Sequence, residues 1–489
     1  MKANLMFRDK DFDLKANPCF GKDALMSDLE LERVFSTMAQ GDEIIRSACI
    51  TALFCPLRSS KEIRYRQENL QDALRNPESV RQLYEITVET EKKIKSSWHW
   101  ISSAYLSSTF SSAVELLKIY IAMLMELRRV ADRKLYGFRS DGFRTLLTML
   151  QQELNDDYFA EVNAQLKELK EGDSMLISAV PGNYLQGIHY AFRRKEDRRG
   201  FWWRWQFAPS YTIAPRDDAG AKDLGKRRDR AINEVTNALA QATEHLAGFF
   251  TMLRNELAFY VGCLNLADTL QTFGMPVCIP NLHSMDNKDR SWRGLYDVSL
   301  ALTKNAAVIS NDLDATDKKL YVITGANQGG KSTFLRSLGQ AQLMAQCGMF
   351  VGASVFSAPI RHGIFSHFKK EEDTSMKSGK LDEELTRMSE IADHLEEGTL
   401  MLFNEPFAST NEREGSEIFR QITQALIESK VEVFSVTHLY TYATAFLDDK
   451  QTQFLRAQRL NNGERTYQIV PGEPLQTAFG YDLFKKIFG

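Results

Sequence analysis

The chain has 489 residues, of which 43% are hydrophobic and 26% charged, and its net charge at neutral pH is −3. This length and apolar content predict roughly two to four domains with cores of their own. The near-neutral charge excludes a polycation, so any contact with nucleic acid has to come from a local patch. The six cysteines are scattered without a CxxC pair, which favours free thiols over a disulfide or zinc framework.

No stretch of the sequence has the pattern of a targeting or membrane segment. Residues 1–9 lack the apolar run of a signal peptide. The best membrane candidate, 119–127, is short and contains Glu126, whereas a membrane helix needs about 18 uncharged apolar residues. These patterns predict a soluble, cytoplasmic protein that has no membrane partner.

Residues up to about 170 show helical periodicity almost throughout. Two capping boxes, each a serine followed three residues later by a glutamate, predict helix starts at Ser27 and Ser59. The first of these helices should end near Gly41. Longer amphipathic stretches follow at about 80–95, 112–132 and 142–171. The pattern predicts an all-α scaffold.

The period changes between residues 174 and 215. Residues 175–178 and 188–192 are better explained as two strands joined by a turn. In 193–205, six basic side chains are interleaved with aromatic ones. Two interpretations fit: basic groups on a DNA backbone with rings stacked on bases, or a β-hairpin with a solvated basic tip. Further positive charge at 222–230 is consistent with the DNA contact.

A single apolar stripe begins at Ile232 and continues to Leu264, with apolar residues every three or four positions. This spacing predicts one long helix of roughly 50 Å, at about 1.5 Å per residue. A lever between distant sites and a seam that only holds helices together would both produce this stripe. Pro276 and Pro280 should end the helix, and residues 280–317 are predicted to form an irregular, turn-rich connection.

From about Lys318 short buried strands alternate with helices, which is typical of a sheet covered by helices. The expected strands are 320–324, 349–352, 363–368, 399–403 and 431–436. The predicted fold is therefore multidomain. An all-α lever and core domain over 1–280, with a small β insertion at 174–215, precedes an α/β P-loop domain over 281–489.

The strand at 320–324 leads into residues 325–333, whose sequence is Gly-Ala-Asn-Gln-Gly-Gly-Lys-Ser-Thr. This is the P-loop pattern, in the strand, loop and helix context that confirms it. Glycines let backbone N–H groups surround an anion, and the helix dipole adds to the attraction. Lys331 should reach the β- and γ-phosphates of ATP, and the Ser332 hydroxyl should hold Mg²⁺. The predicted nucleotide ligands in this loop are Gly325, Asn327, Gly329, Gly330, Lys331, Ser332 and Thr333.

Two further strands end in polar residues. The strand at 399–403 leads into Asn404 and Glu405, the place where P-loop ATPases hold Mg²⁺ and activate water. Glu405 is predicted to position or deprotonate that water. Asn404 replaces the usual aspartate, and an amide binds a hard cation more weakly, which favours slow hydrolysis. His438 follows the strand at 431–436 and is predicted to contact the γ-phosphate or the water.

These motifs, in this order and spacing, resemble the MutS family of DNA mismatch-repair ATPases, which belong to the ABC class. The family commonly has Gly-Pro-Asn-Met-Gly-Gly-Lys-Ser-Thr where this chain has residues 325–333. Further matches lie at Ser409-Thr410, Gly415 and Thr437-His438. Val308 and Asn311 match the segment beside the adenine, with Val308 in place of an aromatic ring. The resemblance implies ATP and Mg²⁺ as cofactors, DNA as a partner, and a homodimer with composite nucleotide sites.

The chain also departs from the family pattern. It begins almost at the family's core domain, which residues 28–70 resemble, so we expect neither the mismatch-reading domain nor the connector. Residues 378–383 lack the family's Ser-Thr-Phe, whose serine reaches the γ-phosphate of the partner subunit. Ser378 or Lys380 is the candidate replacement. The sequence stops at Gly489, so we do not expect the family's terminal dimerisation helices in it.

Two functions follow from these observations. The favoured one is a MutS-like, ATP-dependent DNA-binding protein of DNA repair that binds structures such as junctions rather than mismatches. The alternative is a nucleotide-dependent dimeric switch or scaffold that hydrolyses little ATP. Asn404 and the altered signature motivate this alternative.

Overall fold

The computed structural model describes residues 1–98, 106–170, 176–181, 187–193, 212–214, 216–370, 379–460 and 464–475. The chain forms two compact units. The first contains Met1–Ala3, Arg81–Phe138 and Arg144–Arg254, and the second contains Asn4–Val80, Arg139–Phe143 and Asn255–Gly489. The domain boundary predicted near residue 280 remains a proposal.

Four helices form the N-terminal part of the second unit: α1 (Lys22–Asp28), α2 (Glu32–Ala39), α3 (Glu43–Phe54) and α4 (Ser60–Arg75). The helix end predicted near Gly41 is confirmed, because α2 stops at Ala39. Ser59 is the N-cap of α4 as predicted, although its side chain makes no capping bond.

The capping box predicted at Ser27 is wrong. Ser27 lies in the last turn of α1, and Glu30 adopts a left-handed backbone with φ of 51° in the break before α2. The carbonyl groups of the break are bound by distant side chains. Ser299 donates to the Glu30 carbonyl at 2.8 Å and Gln340 to the Leu29 carbonyl at 3.0 Å. Long-range hydrogen bonds therefore stabilise the break where the local pattern predicted a helix start.

The middle of the chain forms α5 (Pro77–Trp98), α6 (Leu106–Lys134), a 3₁₀ turn (Leu135–Gly137), α7 (Asp141–Glu153) and α8 (Asp156–Lys170). The amphipathic stretch predicted at 142–171 is helical but consists of two helices, because the Asn155 side chain accepts the Tyr158 N–H at 2.8 Å and starts a new helix. The predicted strand pair is confirmed as the antiparallel strands β1 (Leu176–Pro181) and β2 (Gly187–Arg193). Most of the basic and aromatic segment, residues 194–205, lies outside the described residues.

The predicted long helix is confirmed as α9 (Asp218–Thr272), whose 55 residues correspond to roughly 80 Å at about 1.5 Å per residue. In the first unit, Arg254 of α9 forms an ion pair with Glu91, and Phe250 contacts Tyr120 with 5.5 Å between ring centroids. Within the described parts of the chain, no helix has the length and apolar character needed to cross a membrane.

In the second unit, α9 binds the N-terminal segment through buried polar groups. The Glu256 carboxylate accepts the N–H groups of Leu5 and Met6 at 2.5 and 3.1 Å, and the Tyr260 hydroxyl donates to the Leu5 carbonyl at 2.6 Å. Burial raises the pKa of Glu256 to about 7, although the N–H donors favour the charged form. This carboxyl group therefore makes stability depend on pH.

We expect Glu256→Gln to stabilise the protein at pH 8 and to have a smaller effect at pH 5. The unfolded chain loses the proton near pH 4.5, whereas the folded chain keeps it to about pH 7. The stabilising contribution is therefore present below 4.5 and is lost as the pH rises to 7. Glutamine keeps a carbonyl acceptor without the charge. Thermal unfolding at both pH values measures the difference, with the exposed Glu244 of α9 replaced by Gln as control. An equal shift at both pH values would contradict the assignment.

The rest of the second unit contains two sheets. The strands are β3 (Asn281–His283), β4 (Arg290–Leu295), β5 (Asn311–Ala315), β6 (Leu320–Thr324), β7 (Val355–Pro359), β8 (Ile364–Phe368), β9 (Leu400–Asn404), β10 (Glu432–Val436), β11 (Thr452–Arg459) and β12 (Arg465–Pro471). The larger sheet has the order β12-β11-β6-β10-β9-β8, parallel except for the antiparallel pair β11 and β12. The smaller sheet has the order β3-β7-β4-β5. The helices are α10 (Val298–Lys304), α11 (Lys331–Gln346), α12 (Lys380–Ala392), α13 (Glu412–Glu428) and α14 (Tyr440–Thr444).

The strands predicted at 320–324, 363–368, 399–403 and 431–436 correspond to β6, β8, β9 and β10. The strand predicted at 349–352 is wrong, since Val351 makes one isolated bridge with Cys278. The irregular connection predicted at 280–317 is also wrong, because this stretch forms β3, β4, α10 and β5. Pairing of β3 and β4 with the distant β7 stabilises them, and local periodicity does not reveal such pairing.

A buried ion cluster joins the two sheets. The Glu432 carboxylate in β10 accepts both Arg290 of β4, at 2.7 and 2.6 Å, and Arg361, at 2.6 Å. Arg290 also donates to Gln342 of α11 at 3.0 Å. Removing one partner of such a buried cluster would leave an uncompensated charge, which is strongly destabilising. Through the bond between Arg290 and Gln342, the cluster also fixes α11 against the two sheets.

Candidate functional site

Three neighbouring strands bring the predicted catalytic residues to one edge of the larger sheet. Strand β10 lies between β6 and β9, and its Val436 is level with Ile323 on one side and Asn404 on the other. Since the three strands are parallel, the segments that follow them begin at the same edge. Open α/β sheets bind ligands at this edge.

The loop between β6 and α11 can only be built with glycine at its closing positions. Gly330 has φ of 92° and is the N-cap of α11. A Cβ on Gly329 would lie 2.7 Å from the Ala457 Cβ and 2.8 Å from the Ala326 carbonyl oxygen. The close approach leaves no room for a side chain, and the first N–H groups of α11 face the loop. This cradle suits a phosphate group.

Lys331 is buried at the first position of α11. Its ammonium donates to the carbonyl oxygens of Gly325 at 2.9 Å and Ala326 at 3.1 Å. Burial lowers the pKa of Lys331, while the negative charge of Glu405 raises it and the positive charge of Arg465 lowers it further. A cation that is held by backbone carbonyls can exchange them for phosphate oxygens.

The two residues predicted to hold Mg²⁺ lie next to each other. The Ser332 hydroxyl donates to the Asn404 side-chain oxygen at 2.9 Å. Both groups are oxygen donors, which Mg²⁺ prefers, but neither carries a charge. The pair therefore fits a magnesium site of reduced negative charge.

Glu405 and His438 lie close together at the same edge of the larger sheet. The Glu405 N–H donates to the Val436 carbonyl at 2.8 Å, which fixes the backbone of Glu405 beside β10. The Glu405 carboxylate lies 3.9 Å from Nδ1 of His438, and their side chains are 29% and 41% exposed. Both groups can therefore reach a ligand or a water molecule.

The other predicted nucleotide ligands lie on different elements and differ in how far they are exposed. Asn327 is exposed at the tip of the P-loop, and Thr333 is half-buried in the first turn of α11. The Asn311 side-chain oxygen accepts the N–H of Ile469 in β12 at 2.7 Å. Val308 is half-buried ahead of β5, and Ser378 lies outside the described residues. The roles of these residues in nucleotide binding stay predictions.

Two residues of β12 adjoin the P-loop and were not predicted from the sequence. Arg465 donates to the Gln328 side-chain oxygen at 3.0 Å. Tyr467, which is 51% exposed, places its carbonyl oxygen 3.1 Å from where a Cβ of Gly330 would lie. Neither belongs to a phosphate-binding motif. Only the pairing of β11 with both β6 and β12 brings them to the loop.

Comparison with known proteins agrees with this geometry. The model of the MutS2 N-terminal domain matches residues 58–273, and that of MutS domain V matches residues 321–480. Endonuclease MutS2 of Streptococcus equi subsp. equi is 28% identical over 264 residues, which cover 52% of this chain and 32% of that protein. DNA mismatch repair protein MutS of Thermus thermophilus is 29% identical over 184 residues, which cover 37% and 22%.

The aligned part of the chain thus spans about a third or less of the length of these curated relatives. The two domain matches are consecutive, and the second includes the P-loop lysine, Glu405 and His438. This chain belongs to the MutS family.

Proposed function

We propose that the protein is a MutS-type ATPase that binds ATP and Mg²⁺ at the edge of the larger sheet and couples its nucleotide state to DNA. The observation that supports this best is the convergence of Lys331, the Ser332–Asn404 pair, Glu405 and His438 at the ends of three adjacent strands. Such a set of groups suits phosphoryl transfer to water.

Each group has a distinct proposed role. The loop N–H groups and Lys331 bind the phosphates, and Arg465 supplies a second positive charge at the same loop. Bound Mg²⁺ would neutralise charge on the phosphates, and Ser332 and Asn404 would hold it. Glu405 orients the attacking water and accepts its proton, while His438 donates to the γ-phosphate. Asn311 and Val308 are proposed to lie beside the base.

Asn404 is proposed to slow hydrolysis by binding Mg²⁺ weakly, and Asn404→Asp tests the Mg²⁺ affinity on which this proposal depends. The aspartate of this variant would still accept the Ser332 hydroxyl and would add a negative charge beside the cation. Bonds to charged groups are stronger by about 1 kcal/mol, so the Mg²⁺ concentration for half-maximal turnover should fall roughly fivefold. A Mg²⁺ titration of ATP hydrolysis measures this. Asn404→Ala is the control, because alanine has neither the side-chain oxygen nor the negative charge. An unchanged Mg²⁺ requirement in the aspartate variant would refute the idea.

The DNA partner and the dimer are proposed from the relatives. Their printed names describe an endonuclease and a mismatch-repair protein, and the helical part of this chain matches the MutS2 N-terminal domain. We propose a homodimer with composite nucleotide sites, in which Ser378 or Lys380 contacts the nucleotide of the partner subunit. The proposed ligand is a DNA structure such as a junction.

A binding panel tests this function directly. It compares duplex, mismatched duplex and four-way junction DNA, each with ATP, with ADP and without nucleotide, at two salt concentrations. We expect tighter binding to the junction and a dependence on nucleotide. Equal, weak and salt-sensitive binding to all three DNAs would reject structural specificity.

A nucleotide-dependent switch is the second candidate, and the amide at position 404 favours it. Such a protein would bind ATP and dimerise but would hydrolyse little. Turnover is measured with and without DNA and compared with Glu405→Gln. A wild-type rate no higher than that of the variant, with ATP-dependent dimerisation intact, would support the switch.

A further inference from the structure

The loop that follows β9 holds the proposed catalytic carboxylate in an unfavourable backbone conformation. Glu405 has φ of 52° and Phe407 has φ of 55°. Side chains other than glycine rarely adopt this left-handed region, and they do so where surrounding contacts fix them. Two such residues flank Pro406, so the position of Glu405 depends on what holds this loop.

A buried carboxylate on α12 binds the loop. Glu384 is 3% exposed, and its Oε2 accepts the N–H of Phe407 at 2.6 Å. Its Oε1 has no hydrogen-bond partner among the described residues. Burial raises the pKa of this carboxyl group. A largely buried carboxyl group with half of its hydrogen-bonding capacity unused is costly for stability. Among the described residues, the hydrogen bond that its side chain makes is the one to the loop after β9.

The ring of Phe407 is fixed by aromatic contacts. It is fully buried, with its centroid 5.5 Å from that of His367 and 5.9 Å from that of Phe419. Nε2 of His367 donates in turn to the Glu384 backbone carbonyl at 3.1 Å. Phe407 is therefore held by its N–H and by its ring, and both contacts lead to α12.

We propose that Glu384 is a positioning residue for ATP hydrolysis: through Phe407 it keeps Glu405 in the left-handed conformation that points its carboxylate toward His438. This inference rests on the proposed ATPase function. It assigns to α12 a role in the chemistry of its own subunit, in addition to the contact with the partner subunit that is proposed for Ser378 or Lys380. Glu384 itself touches neither nucleotide nor water.

Glu384→Ala is expected to lower kcat by about 10- to 100-fold, because a displacement of roughly 1 Å at a reacting group has effects of this size. The Km for ATP and the Kd of a fluorescent ADP analogue should change by less than about twofold, since no nucleotide contact is lost. Glu384→Gln keeps a carbonyl oxygen for the Phe407 N–H and should recover most of the rate. Glu390→Ala removes an exposed carboxylate from the same helix and serves as the control.

A double-mutant cycle with Glu405→Gln separates positioning from a general structural role. If Glu384 acts through Glu405, adding Glu384→Ala to the Glu405→Gln protein should leave the residual rate unchanged. The inference is overturned if the two substitutions have multiplicative effects. It is also overturned if Glu384→Ala lowers kcat only in parallel with nucleotide affinity and melting temperature. If the wild type hydrolyses no ATP, the proposed function fails first.

Discussion

Replacing Lys331 with alanine is expected to weaken ATP binding by roughly 30-fold or more and to abolish turnover. The ammonium is buried, and in the folded protein it is bound by two carbonyl oxygens of its own loop. Without it, the phosphates would lose a desolvated charge partner, and truncating such a partner costs about 2–5 kcal/mol. At about 1.4 kcal/mol per factor of ten in affinity, a loss of about 2 kcal/mol corresponds to binding that is roughly 30-fold weaker.

Titration with a fluorescent ATP analogue measures the affinity. Lys304→Ala is a matched control because this lysine is exposed in the last turn of α10. Thermal unfolding shows whether the Lys331 variant is folded. Unchanged affinity in a folded Lys331→Ala protein would exclude the P-loop as the nucleotide site.

Glu405→Gln is expected to reduce kcat by about 10²- to 10⁴-fold, the usual contribution of a general base. Affinity for ATP should stay within about twofold, since the amide has nearly the same shape and the phosphates are bound mainly by the loop and Lys331. The carboxylate is partly exposed and 3.9 Å from His438, so the variant leaves no buried group unpaired.

Single-turnover hydrolysis and equilibrium binding separate the two effects. Glu412→Gln replaces an exposed glutamate in the first turn of α13 and should have the wild-type rate. A Glu405→Gln protein that hydrolyses at the wild-type rate would mean that another group activates the water. In that case, His438 becomes the first candidate.

The P-loop could be recognised from the sequence because its parts are contiguous. Strand β6, the glycines, Lys331 and the start of α11 all lie within residues 320–333. The apolar strands that end at Asn404 and before His438 are equally local signals. Their meeting at one edge followed from a general rule about parallel strands, and the register of β10 with β6 and β9 agrees with it.

Other parts of the site depend on residues that are distant in sequence. Arg465 contacts Gln328 across a separation of 137 residues, because β12 pairs with β11 and β11 with β6. Nothing in the residues around Arg465 indicates a phosphate site. The smaller sheet was missed for a similar reason, since β7 follows β3 and β4 by more than 50 residues and stabilises both.

The P-loop, the Asn404–Glu405 pair and the long helix followed from residue pattern alone, because each is encoded by neighbouring residues whose spacing matches a strand, a loop or a helix. The tertiary structure decided which groups support them. The break at Glu30 and the hydrogen bond that the Phe407 N–H donates to Glu384 depend on partners from other elements. Such contacts form only when the chain folds, so local periodicity carries no trace of them.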